Sequence, residues 1–361
     1  MIYYDKPSYL KSNFTEIIKL LINTISDKNK TDLYIEISTD FLNDLMNFNQ
    51  ILTSQCAKNL IMDYFNSNSF FITTPKNLRT WKNIISNLSI YYKEIITDLL
   101  AAMDSGFIFL KASNESKIKT LRRISFVIYS CEKDFFRNKL EIIKDKVKIL
   151  ITQYGDIPLL ESEIFLMIRI LFLRFGHDNV MEMIKNLWPI IFSELVVNIT
   201  QKKKNNSIKL ILESFKFIEL LSLANIEEFS LYQWIFIFDT FDLAKMDLTK
   251  KDNLLQILIN KESKIFKPYA INVIKRWMPD GNLFDSNFNH GDNEKKGKSE
   301  LVIVNNNLNN IDNENDLSEL VKKFFFSIGN MNNYKVKVNY DQIEYNIEKD
   351  FLIIDNNSNK K

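Results

Sequence analysis

Glu161-Ser162-Glu163-Ile164-Phe165-Leu166-Met167-Ile168-Arg169-Ile170-Leu171-Phe172-Leu173-Arg174-Phe175-Gly176 is the stretch that decides the fold class. At helical spacing its apolar residues fall on nearly every face, so it reads as a helix buried on several sides and surrounded by other helices. Ile164, Ile168, Leu171, Phe172 and Phe175 are expected in the core, and Gly176 suits the C-terminal cap. Arg169 and Arg174 interrupt the run, which falls short of the roughly 20 apolar residues that span a bilayer.

Composition agrees with that reading. With 361 residues, 46% of them hydrophobic, the chain can bury a substantial core. Only 7 Gly and 6 Pro leave little material for the tight turns of a sheet protein and point to long helices with short connections. Lys and Arg total 47 against 45 Asp and Glu, a net charge of +2 without the electrostatic footprint of a dedicated nucleic-acid binder. A helical-repeat nucleic-acid-binding protein is the alternative reading, and it would need a continuous basic concave face. Cys56 and Cys131 have no CxxC spacing and read as two free, buried thiols of a cytosolic chain. Met1–Leu10 holds Asp5, Lys6 and Pro7 without a continuous apolar run, so no secretory signal is read there. No transmembrane segment is expected, and any membrane association would be peripheral.

Working outward from 161–175, helical periodicity recurs along most of the chain. It predicts helices over 14–25, with Ser12 or Asn13 as cap, then 41–52 and 55–65. A long amphipathic helix opens at Thr74-Pro75, runs through Trp81, Ile95 and Leu100, and ends or bends at Ser105-Gly106. Helices over 117–131 and 135–154 precede a turn at Gly155-Asp156-Ile157-Pro158. Further helices are read over 178–187, from Pro189, and over 207–223, 229–238 and 268–277. Helix after helix implies an all-α solenoid of antiparallel helices, HEAT-like or armadillo-like. Residues 1–280 form its body, and 281–316 form a flexible Asn-, Asp- and Lys-rich insert. Residues 317–361, partly disordered, supply C-terminal helices docking on the body plus a polar tail, with Tyr334–Val338 alternating as a strand would.

Catalytic chemistry finds little support. His177 sits at a helix junction and His290 in the polar insert, and no phosphate-cradling loop, HExxH or GxSxG pattern occurs. Glu161 with Glu163, and Glu227 with Glu228, read as solvent-facing helical acids. Asp285 and Asp292 near His290 lack ligand-like clustering, so neither a metal site nor a cofactor is expected and the chain reads as non-enzymatic. Trp81, Trp188, Trp234 and Trp277 read as rings knitting adjacent helices, while Trp234, flanked by Tyr232 and Phe236, is the candidate partner-binding hot spot. Two basic clusters, Lys117, Lys119, Arg122 and Arg123, and Lys202-Lys203-Lys204, are candidates for contact with an anionic lipid leaflet. For the second, a solvated turn after a helix is the simpler reading.

A resemblance sharpens the functional reading. Leu187-Trp188-Pro189-Ile190-Ile191 and Ser193-Glu194-Leu195 are followed by Phe215-Lys216-Phe217-Ile218-Glu219-Leu220-Leu221, Tyr232-Gln233-Trp234-Ile235-Phe236 and Phe266-Lys267-Pro268-Tyr269. Upstream stand Trp81-Lys82-Asn83-Ile84-Ile85-Ser86-Asn87-Leu88 and Leu121-Arg122-Arg123-Ile124-Ser125-Phe126, and downstream Glu348-Lys349-Asp350-Phe351-Leu352. In this order the phrases resemble the C-terminal region of the Dopey family over roughly residues 65–352. Members of that family are much longer chains. The resemblance implies a scaffold at the cytoplasmic face of Golgi and endosomal membranes, with a cytosolic pool, acting in cargo retrieval. It also implies partnership with an Arf-exchange-factor-related Golgi scaffold, and links to phosphatidylinositol 4-phosphate, aminophospholipid flippases and conventional kinesin.

Overall fold

The computed structural model of the chain describes residues 7–27, 29–48, 51, 53–104, 113–200, 207–224, 229, 311, 315–321, 324 and 340–352. Their helices are α1 (Pro7–Ser26), α2 (Asp32–Leu45), α3 (Gln55–Phe65), α4 (Pro75–Tyr91), α5 (Ile95–Asp104), α6 (Asn114–Ser130), α7 (Leu140–Tyr154), α8 (Pro158–Arg174), α9 (His177–Ile184), α10 (Trp188–Thr200), α11 (Ile208–Leu223) and α12 (Tyr340–Asp350). A 3₁₀ turn, Arg137–Lys139, leads into α7, and residues 315–321 are helical. The fold is all-α and accords with a helical-repeat solenoid; no strand occurs among the described residues. The predicted segments 230–238, 268–277 and 334–338, and most of the 281–316 insert, lie outside the described residues.

Local chemistry explains the helix starts. Ser54, Thr74, Ser113 and Ser207 hold extended backbone, and each side-chain oxygen accepts the N–H three residues on, satisfying a donor that the first turn leaves orphaned. Pro75 and Pro158 each open a helix, where the missing N–H is harmless, and Pro189 follows the first residue of α10. Several boundaries differ from expectation. The first helix begins at Pro7 instead of Phe14, and the second occupies Asp32–Leu45 instead of 41–52. The long helix predicted from Pro75 to Leu100 is two: at Tyr92 the backbone leaves the helical region (φ −117°, ψ 70°). The Tyr92 hydroxyl donates to Asp98 in the first turn of α5, and the Lys58 ammonium lies 3.4 Å from its ring centroid. Gly176 is not the left-handed cap of α8. The left-handed residue at that corner is Asp134 (φ 61°), whose N–H donates to the carbonyl of Arg174 at 2.8 Å and whose carboxylate accepts from Gly176 N and Asn179 Nδ2, each at 3.1 Å. An aspartate tolerates this conformation because its short polar side chain bonds locally.

The described residues fall into two compact units, the first drawn from Met1–Ile143, Ile170–Met181 and Ile347–Lys361, the second from Lys144–Arg169 and Glu182–Asn346. In the first unit α1 packs on α2 and α3, α2 on α4, and both α4 and α5 on α6. Its core is a continuous set of rings. Tyr64 stacks on Trp81 at 5.0 Å, Phe70 meets Phe65 edge-on at 4.8 Å, and Phe126 meets Phe70 and Phe71 at 5.6 and 5.7 Å. In the second unit α10 packs on α11, with Phe165 against Phe217 and Trp188 stacked on Phe192 at 4.7 Å. Trp81 and Trp188 are thus core rings, as read from their helical positions. Ile164, Ile168, Leu171 and Phe175 are buried as expected, but Phe172 is only half-buried, because α8 turns that one side outward. Cys131 is buried, whereas Cys56, expected to be buried too, is exposed near the start of α3.

Candidate functional site

Helix α6 carries the first basic cluster, and the structure corrects how that cluster is read. Lys117, Arg122 and Arg123 are 8%, 7% and 8% exposed, too little to form a solvated cationic patch. Arg123 is a clasp: its Nε donates to Phe65 O at 3.0 Å, and its Nη2 donates to Asn66 O at 2.7 Å and Ser67 O at 3.0 Å. Those carbonyls end α3 and lack helical partners, so a guanidinium there both hydrogen-bonds them and complements the negative end of the helix. Burial holds the Arg123 pKa below its ordinary value. The Arg122 guanidinium sits 5.8 Å from the centroid of the Phe71 ring. Lys119, half-buried, donates to Glu115 on its own helix and to Asn68 Oδ1 at 3.0 Å. The second cluster, Lys202, Lys203 and Lys204, and the aromatic trio Tyr232, Trp234 and Phe236 lie outside the described residues.

Next to this clasp, α4 and α6 present a face built of cations and rings. Arg79 Nε donates to Glu348 Oε2 at 2.8 Å, Lys82 Nζ lies 3.9 Å from Glu348 Oε1, and the Tyr129 hydroxyl donates to the same oxygen at 3.3 Å. Lys82 and Arg174 also hold their charges 4.2 and 4.7 Å from the Tyr129 ring centroid, a distance at which a cation is attracted to the ring. Three residues beyond Glu348, Phe351 enters the aromatic core, stacked on Phe71 at 6.0 Å, edge-on to Phe126 at 5.2 Å and tilted against Tyr129 at 5.7 Å. Chemically this face is a carboxylate receptor beside a slot for one ring.

The second unit contains a polar cluster that the sequence reading missed. Glu161 and Glu163, expected to face solvent, are 1% and 0% exposed. Asn198 of α10 donates its Nδ2 to Glu161 Oε1 at 2.6 Å, and Lys209 of α11 reaches Glu163 Oε1 at 2.6 Å. Buried Arg169 donates to Glu213 of α11, which also receives Lys216 Nζ at 3.3 Å. Every residue of this set that carries charge has an opposite charge or an amide against it, which is what burial of charge demands. One signal was available: a helix apolar all round has no solvent-facing side for its acids. Among the described residues, no group of three or more His, Cys, Asp or Glu is placed to hold a metal, and no helix is long and apolar enough to cross a membrane.

A family model described as DOP1 C-terminal matches residues 8–335. Among similar proteins, Protein DOP1B of Xenopus laevis is 27% identical over 153 residues, covering 42% of this chain and 6% of that protein. The Protein DOP1 homolog of Drosophila melanogaster is 23% identical over 264 residues, covering 60% of this chain and 10% of that protein. Protein dop1 of Emericella nidulans is 23% identical over 228 residues, covering 57% and 12%. No solved structure matches. The chain therefore corresponds to a small part of these long relatives, and since the family model spans most of its length, the chain belongs to the DOP1 C-terminal family, the Dopey family that its ordered phrases resemble.

Proposed function

We propose that the chain is a non-enzymatic helical scaffold of Golgi and endosome traffic, acting peripherally at the cytoplasmic face of those membranes in cargo retrieval. The observation that carries this reading is the family match over residues 8–335. The all-α build supports it, since stacked helices offer extended surfaces for protein partners. An Arf-exchange-factor-related Golgi scaffold is the proposed principal partner, and phosphatidylinositol 4-phosphate, an aminophospholipid flippase and conventional kinesin are proposed further contacts. With three of the four α6 cations buried, lipid contact falls to Lys202, Lys203 and Lys204, with Tyr232, Trp234 and Phe236 as the proposed protein contact. Three cations at about 1 kcal/mol each support only weak, reversible binding to an anionic surface.

Two measurements test the proposal. Affinity capture of the intact chain from cells should enrich the Golgi scaffold. Retention of nuclear RNA-binding complexes in its place would overturn the reading. In flotation with vesicles containing phosphatidylinositol 4-phosphate, the Lys202→Glu, Lys203→Glu, Lys204→Glu chain should lose binding that added salt also weakens. Unchanged flotation would remove these lysines from the membrane contact.

A further inference from the structure

A face formed by α4, α6 and the Phe71 ring receives Glu348 and Phe351 from the chain's own C-terminal segment. Helix α12 spans 11 residues, and an isolated helix of that length is marginal in water, so its order depends on what it packs against. Ile347 in its last turn and Phe351 just beyond its end, four positions apart, are both fully buried, while Tyr340 and Tyr345 are 49% and 40% exposed. This is the pattern of an amphipathic helix laid into a groove and read through anchors at helical spacing.

The two anchors differ in kind. Phe351 contacts three rings and is fully buried, which makes it the main holding contact. Glu348 meets Arg79, whose side chain is 48% exposed, and a pair so open to water and salt contributes little to affinity. It selects instead: Arg79, Lys82 and the Tyr129 hydroxyl converge on one carboxylate, an arrangement that favours an acid over a neutral or basic residue at this position. The ring slot alone would accept many apolar side chains. Slot and receptor together define an acid followed, three residues on, by an aromatic ring.

We propose that this face is a recognition seat for amphipathic helical segments of a partner protein that carry the acid-x-x-aromatic pattern, and that Glu348-Lys349-Asp350-Phe351 occupies it as an intramolecular competitor. The partner segment is acidic at the first anchor because the seat is cationic, and aromatic at the second because the slot is walled by Phe71, Phe126 and Tyr129. A tethered competitor acts at high effective concentration, so a partner segment binds weakly until the chain's own segment is released. The inference rests on the geometry of the first unit and is independent of the trafficking role.

The probe is a labelled peptide with the sequence of residues 340–352, titrated by fluorescence anisotropy into the full chain. The chain carrying Glu348→Ala and Phe351→Ala should bind it at least about tenfold more tightly than the wild-type chain, since the internal competitor is weakened. Adding Arg79→Glu and Lys82→Glu to that chain should abolish the gain, and so should a peptide with Ala in place of its phenylalanine. Equal binding to wild-type and opened chains, or none to the opened chain, overturns the proposal. Because the double variant risks losing its fold, the wild-type chain supplies a second measurement. Excess unlabelled peptide should speed amide exchange in residues 347–351 of the chain itself, while a peptide of scrambled order should not. Exchange unchanged by the correct peptide overturns the proposal equally.

Discussion

The two units bury their side chains by different means. The first is organised around rings: Tyr64, Phe65, Phe70, Phe71, Trp81, Phe126 and Phe351 meet edge-on, stacked or tilted with centroids 4.8 to 6.2 Å apart. Of its two buried guanidiniums on α6, that of Arg123 hydrogen-bonds backbone carbonyls and that of Arg122 lies against the Phe71 ring. The second unit is organised around charge: Glu161, Glu163, Arg169, Glu213 and Lys216 are all within 2% of complete burial and paired across α8, α10 and α11. Ring contacts tolerate small shifts, because each pair contributes only about 0.5–1.5 kcal/mol beyond its area. Buried charges do not, because removing one partner strands the other in a medium that cannot solvate it. The proposed exchange of the 348–351 segment draws on contacts of the first kind.

The largest expected effects come from the two cores, the charged one first. Glu213→Ala leaves Arg169 and Lys216 without their shared carboxylate and should cost about 3–5 kcal/mol in urea denaturation. Replacing all three together with Met should recover most of that loss, since a well-packed apolar set is often as stable as a buried ion cluster. If the triple variant is as unstable as Glu213→Ala, packing rather than stranded charge explains the loss, and the contrast between the units weakens. In the aromatic unit the corresponding change is Phe126→Ala, which removes the ring shared by Phe65, Phe70, Phe71 and Phe351. A cavity there should cost about 3–5 kcal/mol, against about 1–2 kcal/mol for half-buried Phe172→Ala. Equal losses at Phe126 and Phe172 would show that the ring cluster is no more tightly held than the edge of α8.

How far the sequence foretold this arrangement depended on whether the cause was local. Helix α3 was legible to the residue, and α4 was legible at its start, because an Ser or Thr cap and a first-turn proline act within four residues. The break at Tyr92 was not, because Ile95 and Leu99 continue the apolar phase of α4 and the interruption is fixed by Lys58 and Asp98. Burial of charge was the least legible feature. Glu161 meets a partner 37 positions away, Arg169 one 44 away and Glu163 one 46 away, so no local pattern names their partners, although the apolar faces of α8 left its acids no solvent-facing side. Arg123 looked like one cation of a surface cluster because its acceptors, the carbonyls ending α3, carry no side-chain signature. The Glu348 seat was legible only as an acidic-hydrophobic ending, since its receptors lie on α4 and α6.

Alkaline pH should separate the units again, by a smaller amount. In the first unit burial pushes the Tyr64 hydroxyl up to about 12, and burial, opposed by a hydrogen-bond interaction with Ser89 and the charge of Arg174, pushes the Cys131 thiol up to about 11. Both groups are neutral when protonated and keep their protons longer in the folded chain. Above their ordinary values the unfolded chain therefore binds fewer protons, and stability falls as pH rises. The loss should begin near pH 9, continue to about 12, and reach on the order of 2 kcal/mol for each group. Urea midpoints at pH 8 and pH 10.5 should converge in the Tyr64→Phe, Cys131→Ala chain. A fall in midpoint unchanged by those substitutions would assign the alkaline sensitivity elsewhere.

The smallest effect provides the control for the whole contrast. Ser113 opens α6 in the first unit and Ser207 opens α11 in the second, with nearly the same backbone angles (φ −60°, ψ 150° and φ −75°, ψ 144°). Each hydroxyl accepts the N–H three residues on at 3.2 Å. The cap satisfies one orphan donor and involves no core residue, so Ser113→Ala and Ser207→Ala should each cost about 1 kcal/mol. Equal losses would show that the helices of the two units are started by the same local physics and that their difference resides in what the helices bury. A loss at Ser207 several times that at Ser113 would mean that the charged core amplifies any displacement of α11, since Lys209, Glu213 and Lys216 all project from that helix and move with its first turn. The comparison is read most cleanly near neutral pH, below the range in which Tyr64 and Cys131 begin to ionise.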